Sequence, residues 1–269
     1  MKQPFFDLQA THNPYRWYLP LKDSLCVGPP GQQFMFGGVG MAAALGALEG
    51  ATGRPVIWAT AQYLSYARPP SIVDLDVRTP VDGKYTSQAR VIAHVEDREI
   101  LTVNAALGER PSEISHQWAS PPEVPPPEDC PRSDRWRSDT DNLHNHVEVR
   151  IARGRHSASS DPDGPSVDGT MAMWLRPPEG HPVDAAMLAI MADHVPSGVG
   201  PALGLNAGGN SLDNTIRFLT IVPTDWVLCE VAIIGVARGI AHGSMRLFSQ
   251  DGQLMATASQ SMILRVREG

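Results

Sequence analysis

The chain has 269 residues, 42% hydrophobic and 19% charged, a globular balance with length for two ordinary domains or one large one. A formal net charge of -7 and the lack of any Lys/Arg block exclude the electrostatic footprint of a nucleic-acid binder. Three widely spaced cysteines (Cys26, Cys130, Cys229) make no disulfide framework, Met1 to Asp7 has no apolar signal core, and no run of ~18 apolar residues exists, so a soluble cytoplasmic protein without a membrane span is expected.

Residues 15–28 read as an opening strand. Phe36-Gly37-Gly38 then leads into Val39 to Glu49, apolar on nearly every face, which predicts a helix buried on most sides rather than an amphipathic surface helix. Gly50, Gly53 and Pro55 stop it. Four strand-like runs follow: Val56 to Tyr66, Ile72 to Thr79, Ser87 to Val95 and Ile100 to Leu107. They are separated by turn signals at Arg68-Pro69-Pro70, Val81-Asp82-Gly83 and Glu96-Asp97-Arg98. One buried helix with about four antiparallel strands is an α+β pattern.

Pro111 to Pro131 contains seven prolines and reads as an extended linker without a core of its own, continued by the polar stretch Arg132 to Asn145. The expected organisation is therefore a domain over 1–110, a linker over 111–145 and a second domain over 146–269. The second domain repeats the order of the first. Val147 to Ala152 and Thr170 to Leu175 are strands, with a Gly/Ser/Asp-rich mobile loop over 154–169 between them. Asp184 to Val195 is a second apolar helix, with Asp184 as N-cap and Pro196 ending it. Asn214 to Ile221, Trp226 to Val236, Gly243 to Phe248 and Leu254 to Val266 are the closing strands.

The hairpin signals at Glu96-Asp97-Arg98 and Gln250-Asp251-Gly252-Gln253 sit at equivalent places in the two halves. A repeat of roughly 150 residues implies duplication of a whole domain, not a solenoid, and a duplicated domain tends to bind its ligand at the seam. Superposing Asp97 on Asp251 sets Gln260 opposite Ala106, which predicts one competent site per chain, the second half supplying its side chains and the first half its helix start.

Local segments resemble the acyl-CoA thioesterase II (TesB-like) family. Phe36-Gly37-Gly38 is similar to that family's Phe-Gly-Gly-Gln helix start, and Tyr63 to Pro69 to its strand ending Phe-Leu-Arg-Pro. Ser211-Leu212-Asp213-Asn214 with Arg217-Phe218 resembles its Leu/Ile-Asp-His segment before Trp-Phe-His. Asp251-Gly252-Gln253-Leu254 with Ala258-Ser259-Gln260 resembles its Asp-Gly-x-Leu-Val-Ala…Gln ending. The resemblance implies a double hotdog: two repeats, each a long antiparallel sheet wrapped around a central helix.

It also implies hydrolysis of an acyl-CoA to free acid and CoA, a role in lipid metabolism, and no cofactor beyond the CoA of the substrate. Thioester hydrolysis needs a positioned water, a group to orient or deprotonate it, and donors for the developing oxyanion. The implied residues are Asp213 as the carboxylate, Gln260 as the amide that fixes the water, and Gly38 at the helix start as an oxyanion donor. Asp193, an acid at a helix C-terminus where the dipole disfavours it, needs a partner and is a substrate-side candidate. The family's hydroxyl residue falls at Ile233, Ile234 or Gly235, none of them Ser or Thr. Val39 replaces its helix Gln, and a family His falls near Tyr63. The missing hydroxyl favours an alternative, a non-catalytic protein that binds acyl-CoA or another acyl ligand. Hotdog sheets also make homo-oligomers possible.

Other chemistry has thinner support. His194 and His242 read as structural or surface residues. His144 and His146 lack a second ligand cluster, so no metal is expected. Asp161-Pro-Asp163-Gly lacks the rest of a calcium loop. Gly38-Val-Gly40-Met-Ala-Ala43 matches the loose dinucleotide pattern without the βαβ context it needs. No G-x-S-x-G elbow is present, and neither helix begins with the Asp-x-x-x-x-His of a hotdog hydratase.

Overall fold

The computed structural model describes residues 5–134, 137–155 and 166–267. The calcium-like Asp161-Pro-Asp163 segment and most of the 154–169 loop lie outside the described residues.

Helix α1 spans Gly37–Thr52 and ends on Gly53, whose φ of +66° makes the left-handed stop. Helix α2 spans Ala185–Ala192, with the Asp184 carboxylate accepting the Met187 N–H at 2.8 Å. It ends three residues before Val195. The chain continues as a 3-10 turn at Val195–Gly198, which Pro196 starts rather than a helix it ends, and then as a short helix at Val199–Leu203. The two long helices run antiparallel and in contact, since the start of α1 meets the end of α2.

Twelve strands are named here: β1 Arg16–Leu21, β2 Val56–Tyr63, β3 Ser71–Asp82, β4 Thr86–Val95, β5 Arg98–Gly108, β6 Glu148–Arg153, β7 Thr170–Arg176, β8 Ala207–Ser211, β9 Asp213–Phe218, β10 Val227–Ala237, β11 Ile240–Ser249 and β12 Leu254–Val266. With a two-residue strand at Gln9–Ala10 they form one sheet, ordered β1-β3-β4-β5-β2-β9-β12-β11-β10-β7-β6, and β8 adds to β12. The half β1-β3-β4-β5-β2 is mirrored by β9-β12-β11-β10-β7, so helix and strands are wired the same way twice. This is the double hotdog, and β2 paired with β9 is its seam.

At the seam the Thr60 and Thr215 hydroxyls lie 2.9 Å apart, 155 residues apart in sequence. That spacing carries Ala59 onto Asn214 and Ala105 onto Gln260. The hairpin register therefore slips by one, from the expected Ala106 to Ala105. The β4–β5 turn holds only Glu96 and Asp97, whereas the matching turn holds four residues between Ser249 and Leu254.

One apolar core runs through both halves, from Leu19 and Met41 to Met191 and Met262. A second, smaller apolar cluster takes in the Pro-rich segment. Ala119, Val124 and Cys130 pack on Trp174, Trp226 and Phe248, and the Trp174 indole N–H donates to the Pro125 carbonyl at 3.0 Å. The stretch beyond it folds inward: Leu143 is buried, and the Gln33 amide donates to the Asp141 carbonyl at 2.8 Å.

Candidate active site

Where α1 begins and α2 ends, the helices come close enough to require glycine. A Cβ on Gly38 would stand 2.8 Å from the Ile190 Cα, and one on Gly37 would stand 2.8 Å from Asp193 Oδ2 and 2.9 Å from Tyr63 Cζ. This is the physical content of Phe36-Gly37-Gly38. The glycines let the Asp193 carboxylate reach the free N–H groups of the α1 first turn, where the helix dipole favours an anion. Gly38 N–H donates to Asp193 Oδ2 at 2.7 Å. The acid that seemed misplaced at the end of α2 is thus a cap for α1.

The other oxygen, Asp193 Oδ1, accepts the Gln260 side-chain N–H and, at 3.4 Å, the Ser211 hydroxyl. Gln260 Oε1 is buried without a partner among the described residues. Both Ser211 and Gln260 reach this carboxylate because of a β-bulge. β8 pairs Ser211 with Met262 and β9 pairs Thr215 with Ser259, so residues 212–214 stand opposite 260 and 261 alone. The extra residue restores the inward face on both sides of the kink. Ser211 points inward before it, and Asn214, fully buried, points inward after it.

The same bulge separates Asp213 from Gln260. Asp213 pairs with exposed Gln62, and its carboxylate accepts the Ser261 N–H at 2.8 Å, on the sheet face where Ser261 also meets His242. Side chains alternate along a strand, so a neighbour of Asn214 faces away from it. Gln260 is therefore brought to Asp193 and not to Asp213. Nor is Gly38 N–H free for a substrate carbonyl, since Asp193 holds it; Gly37, the first residue of the helix, lines the cavity instead.

That cavity has a volume of about 760 Å³. Its walls include Phe34, Phe36, Tyr63, Asn142, His144, Asp193, His194 and Ser211, with Gly208, Gly209 and Arg267 also on it. Burial pushes the Asp193 carboxyl up, its three donors pull it back, and it settles at about 7. Burial, then the Asp193 charge, holds the Tyr63 phenol well above its usual range, with the Asn214 side chain pulling the other way, so it is a neutral donor. Burial lowers His194 to about 4, leaving a neutral imidazole. The three cysteines are buried and unpaired, and burial raises each thiol, so none is a ready nucleophile. Among the described residues no group of three His, Cys, Asp or Glu is placed to hold a metal ion, and no helix is long and apolar enough to cross a membrane. His146 instead contacts Asp141 at 2.7 Å.

Sequence patterns single out Asp193, Gln260 and the glycines but miss Ser211, Tyr63, Asn142, His144 and His194 as cavity residues. Ser211 carries a signal because it opens the Ser211-Leu-Asp-Asn segment, and Tyr63 because it stands near the position of a family His.

The model of the acyl-CoA thioesterase C-terminal domain matches residues 127–264. A presumed thioesterase of Novosphingobium aromaticivorans is 35% identical, covering 96% of this chain and 98% of its own, with a TM-score of 0.86. The chain belongs to the acyl-CoA thioesterase family. The family's fold recurs at lower identity. A hot dog fold protein of unknown function from Alicyclobacillus acidocaldarius is 22% identical, covering 97% of each chain, with a TM-score of 0.80. The acyl-CoA thioesterase II TesB2 of Mycobacterium marinum is 22% identical, covering 98% of this chain and 97% of its own, with a TM-score of 0.75. No curated protein matches the chain.

Proposed function

We propose that the chain hydrolyses acyl-CoA thioesters and that Asp193, not Asp213, is the carboxylate that does so. One observation carries this reading. A buried carboxylate poised at about 7, held by Gly38 N–H, Gln260 and Ser211, forms the wall of a cavity large enough for an acyl group. A general base works best when its pKa lies near the working pH.

In this reading the Gln260 amide, fixed by its N–H on Asp193, offers its unpartnered Oε1 to one hydrogen of the water. Asp193 takes the other proton as the water oxygen attacks the thioester carbonyl carbon. The charge that develops on the carbonyl oxygen is met by neutral donors, for which Tyr63 O–H and the α1 start at Gly37 are at hand. Collapse breaks the C–S bond, and the sulfur leaves with a proton returned from Asp193, giving free acid and CoA. No step calls on a cofactor. Ser211 supplies the hydroxyl that Ile233, Ile234 and Gly235 do not, which weakens the case for a binding protein without turnover. In the same reading it is a cytoplasmic enzyme of lipid metabolism that pairs through its sheet.

The test is thiol release from a panel of acyl-CoAs. Asp193→Asn is expected to lose on the order of 10²- to 10⁴-fold in kcat, and Asp213→Ala little. Full activity in Asp193→Asn with none in Asp213→Ala would return the role to Asp213. Saturable acyl-CoA binding without thiol release at any chain length would make the chain a binding protein.

A further inference from the structure

His194 follows Asp193 at the end of α2 and lines the same cavity, yet the hydrolysis derived above makes no use of it. His194 is 2% exposed, and its ring packs against Phe36, with centroids 5.4 Å apart, and His144, with centroids 5.9 Å apart. Nδ1 lies 3.1 Å from the Met191 carbonyl. A carbonyl only accepts, so Nδ1 carries the hydrogen, and Nε2 of the neutral ring is a bare acceptor. That Nε2 is buried and has no partner among the described residues. An orphaned buried acceptor is a standing cost to the fold, relieved by any ligand that brings a donor.

We propose that His194 Nε2 is a specificity-determining acceptor for an N–H or O–H of the thioester substrate. The proposal rests on the thioesterase reading of this cavity. Two parts of such a substrate carry a donor near the reacting carbonyl: the amide N–H of the pantetheine arm, and a hydroxyl on the acyl chain. A site built around a buried polar atom rejects the analogue that lacks its partner far more strongly than an apolar pocket rejects a missing methylene. Phe36, packed against the His194 ring, offers the acceptor no hydrogen-bonding group.

Two substrate pairs test this. One compares a 3-hydroxyacyl-CoA with the unsubstituted acyl-CoA of equal length. The other compares an acyl N-acetylcysteamine thioester, which keeps an amide N–H, with the acyl ethanethiol thioester, which has none. Wild type is expected to favour the donor-bearing member of one pair by about 10-fold or more in kcat/KM. His194→Phe brings that ratio toward one, and His194→Gln, which keeps an acceptor oxygen, restores part of it. The pair that responds names the source of the donor. Ratios that His194→Phe leaves unchanged in both pairs, with hydrolysis intact, overturn this inference and spare the thioesterase reading. Wild type that neither binds nor hydrolyses any of the thioesters overturns both.

If His194→Phe does not fold, the ¹⁵N resonance of His194 Nε2 in the wild-type protein decides. It shifts when a non-hydrolysable thioether analogue of the favoured substrate is added. A resonance unmoved at saturating analogue overturns the proposal.

Discussion

Across the seam, the inner face of the first half carries Ala59 and Ala105 where the second half carries Asn214 and Gln260. The helix ends differ in the same sense. Where α1 starts, Asp193 is met by three donors and a cavity of about 760 Å³ opens. Where α2 starts, Asp184 caps its own helix and raises the pKa of nearby Glu49, which burial already lifts. The void there is about 20 Å³, closed by Phe5 and Phe6. A shared framework thus carries one polar, open place and one apolar, filled place. The difference shows what a buried carboxylate needs, since burying a charge is unfavourable unless donors surround it. The cavity opens at the α1 start, where Gln260 reaches Asp193, and the α2 start is closed by Phe5 and Phe6.

Several substitutions would break this asymmetry, in order of expected effect. Asp193→Asn removes the base and should give the loss already stated. The wild-type pH profile of kcat/KM should rise through about 7, because only the ionised carboxylate accepts a proton; that limb should be absent from the residual activity of the variant. Gly38→Ala drives a methyl against the Ile190 backbone, which cannot swing aside as a side chain can. Thiol release should drop at least 10-fold, with a lower Tm by calorimetry, whereas Gly53→Ala, with open space around its Cβ, should cost only the strain of its positive φ. Gln260→Ala makes the second half copy the first and should lower kcat by roughly 10- to 100-fold with an intact fold by circular dichroism.

Phe6→Ala opens the filled place. It should cost about 3 kcal/mol in urea unfolding while leaving kcat/KM within about twofold, since no carboxylate with three donors waits there. An activity loss comparable to that of Gln260→Ala would show that the closed place is functional after all.

Stability against pH separates Asp193 from its neighbour His194. Asp193 has a folded pKa above its ordinary value, so its favourable contribution is present below about pH 4 and is lost as pH rises to about 7. His194 has a folded pKa below its ordinary value, so its cost appears as pH falls through about 6.5 and is complete below about 4. The two slopes oppose each other over the same window. Relative to wild type, Asp193→Asn should gain stability as pH rises from 4 to 6.5 and His194→Phe should lose it, as read from urea midpoints at each pH. Parallel curves for all three proteins would show that neither group titrates as its burial dictates.

How much of this was legible in the chain divides along physical lines. Local and periodic signals were readable. The all-apolar run from Val39 announces a buried helix, Asp184 its cap, and the turn signals the strands, because each is set by neighbours in sequence. The duplication was also readable, though its register slipped by one where turns of two and four residues replace each other. Gly37, Gly38, Asp193 and Gln260 stood out, but not their partnership. A bulge of one residue between β8 and β9 decides that Ser211 and Asn214 face inward and Asp213 outward, and nothing in Ser211-Leu212-Asp213-Asn214 reveals where the extra residue falls. Side-chain direction flips with every residue of a strand, so register is settled only when β12 pairs with both strands at once. Asn142 and His144 reached the cavity from a stretch that reads as polar linker. The sequence by itself determined the helices, the strands, the repeat and the need for glycine. The packing of α1 on α2 and the bulge at the seam decided which carboxylate meets Gln260, because that depends on contacts between residues 155 and 67 positions apart.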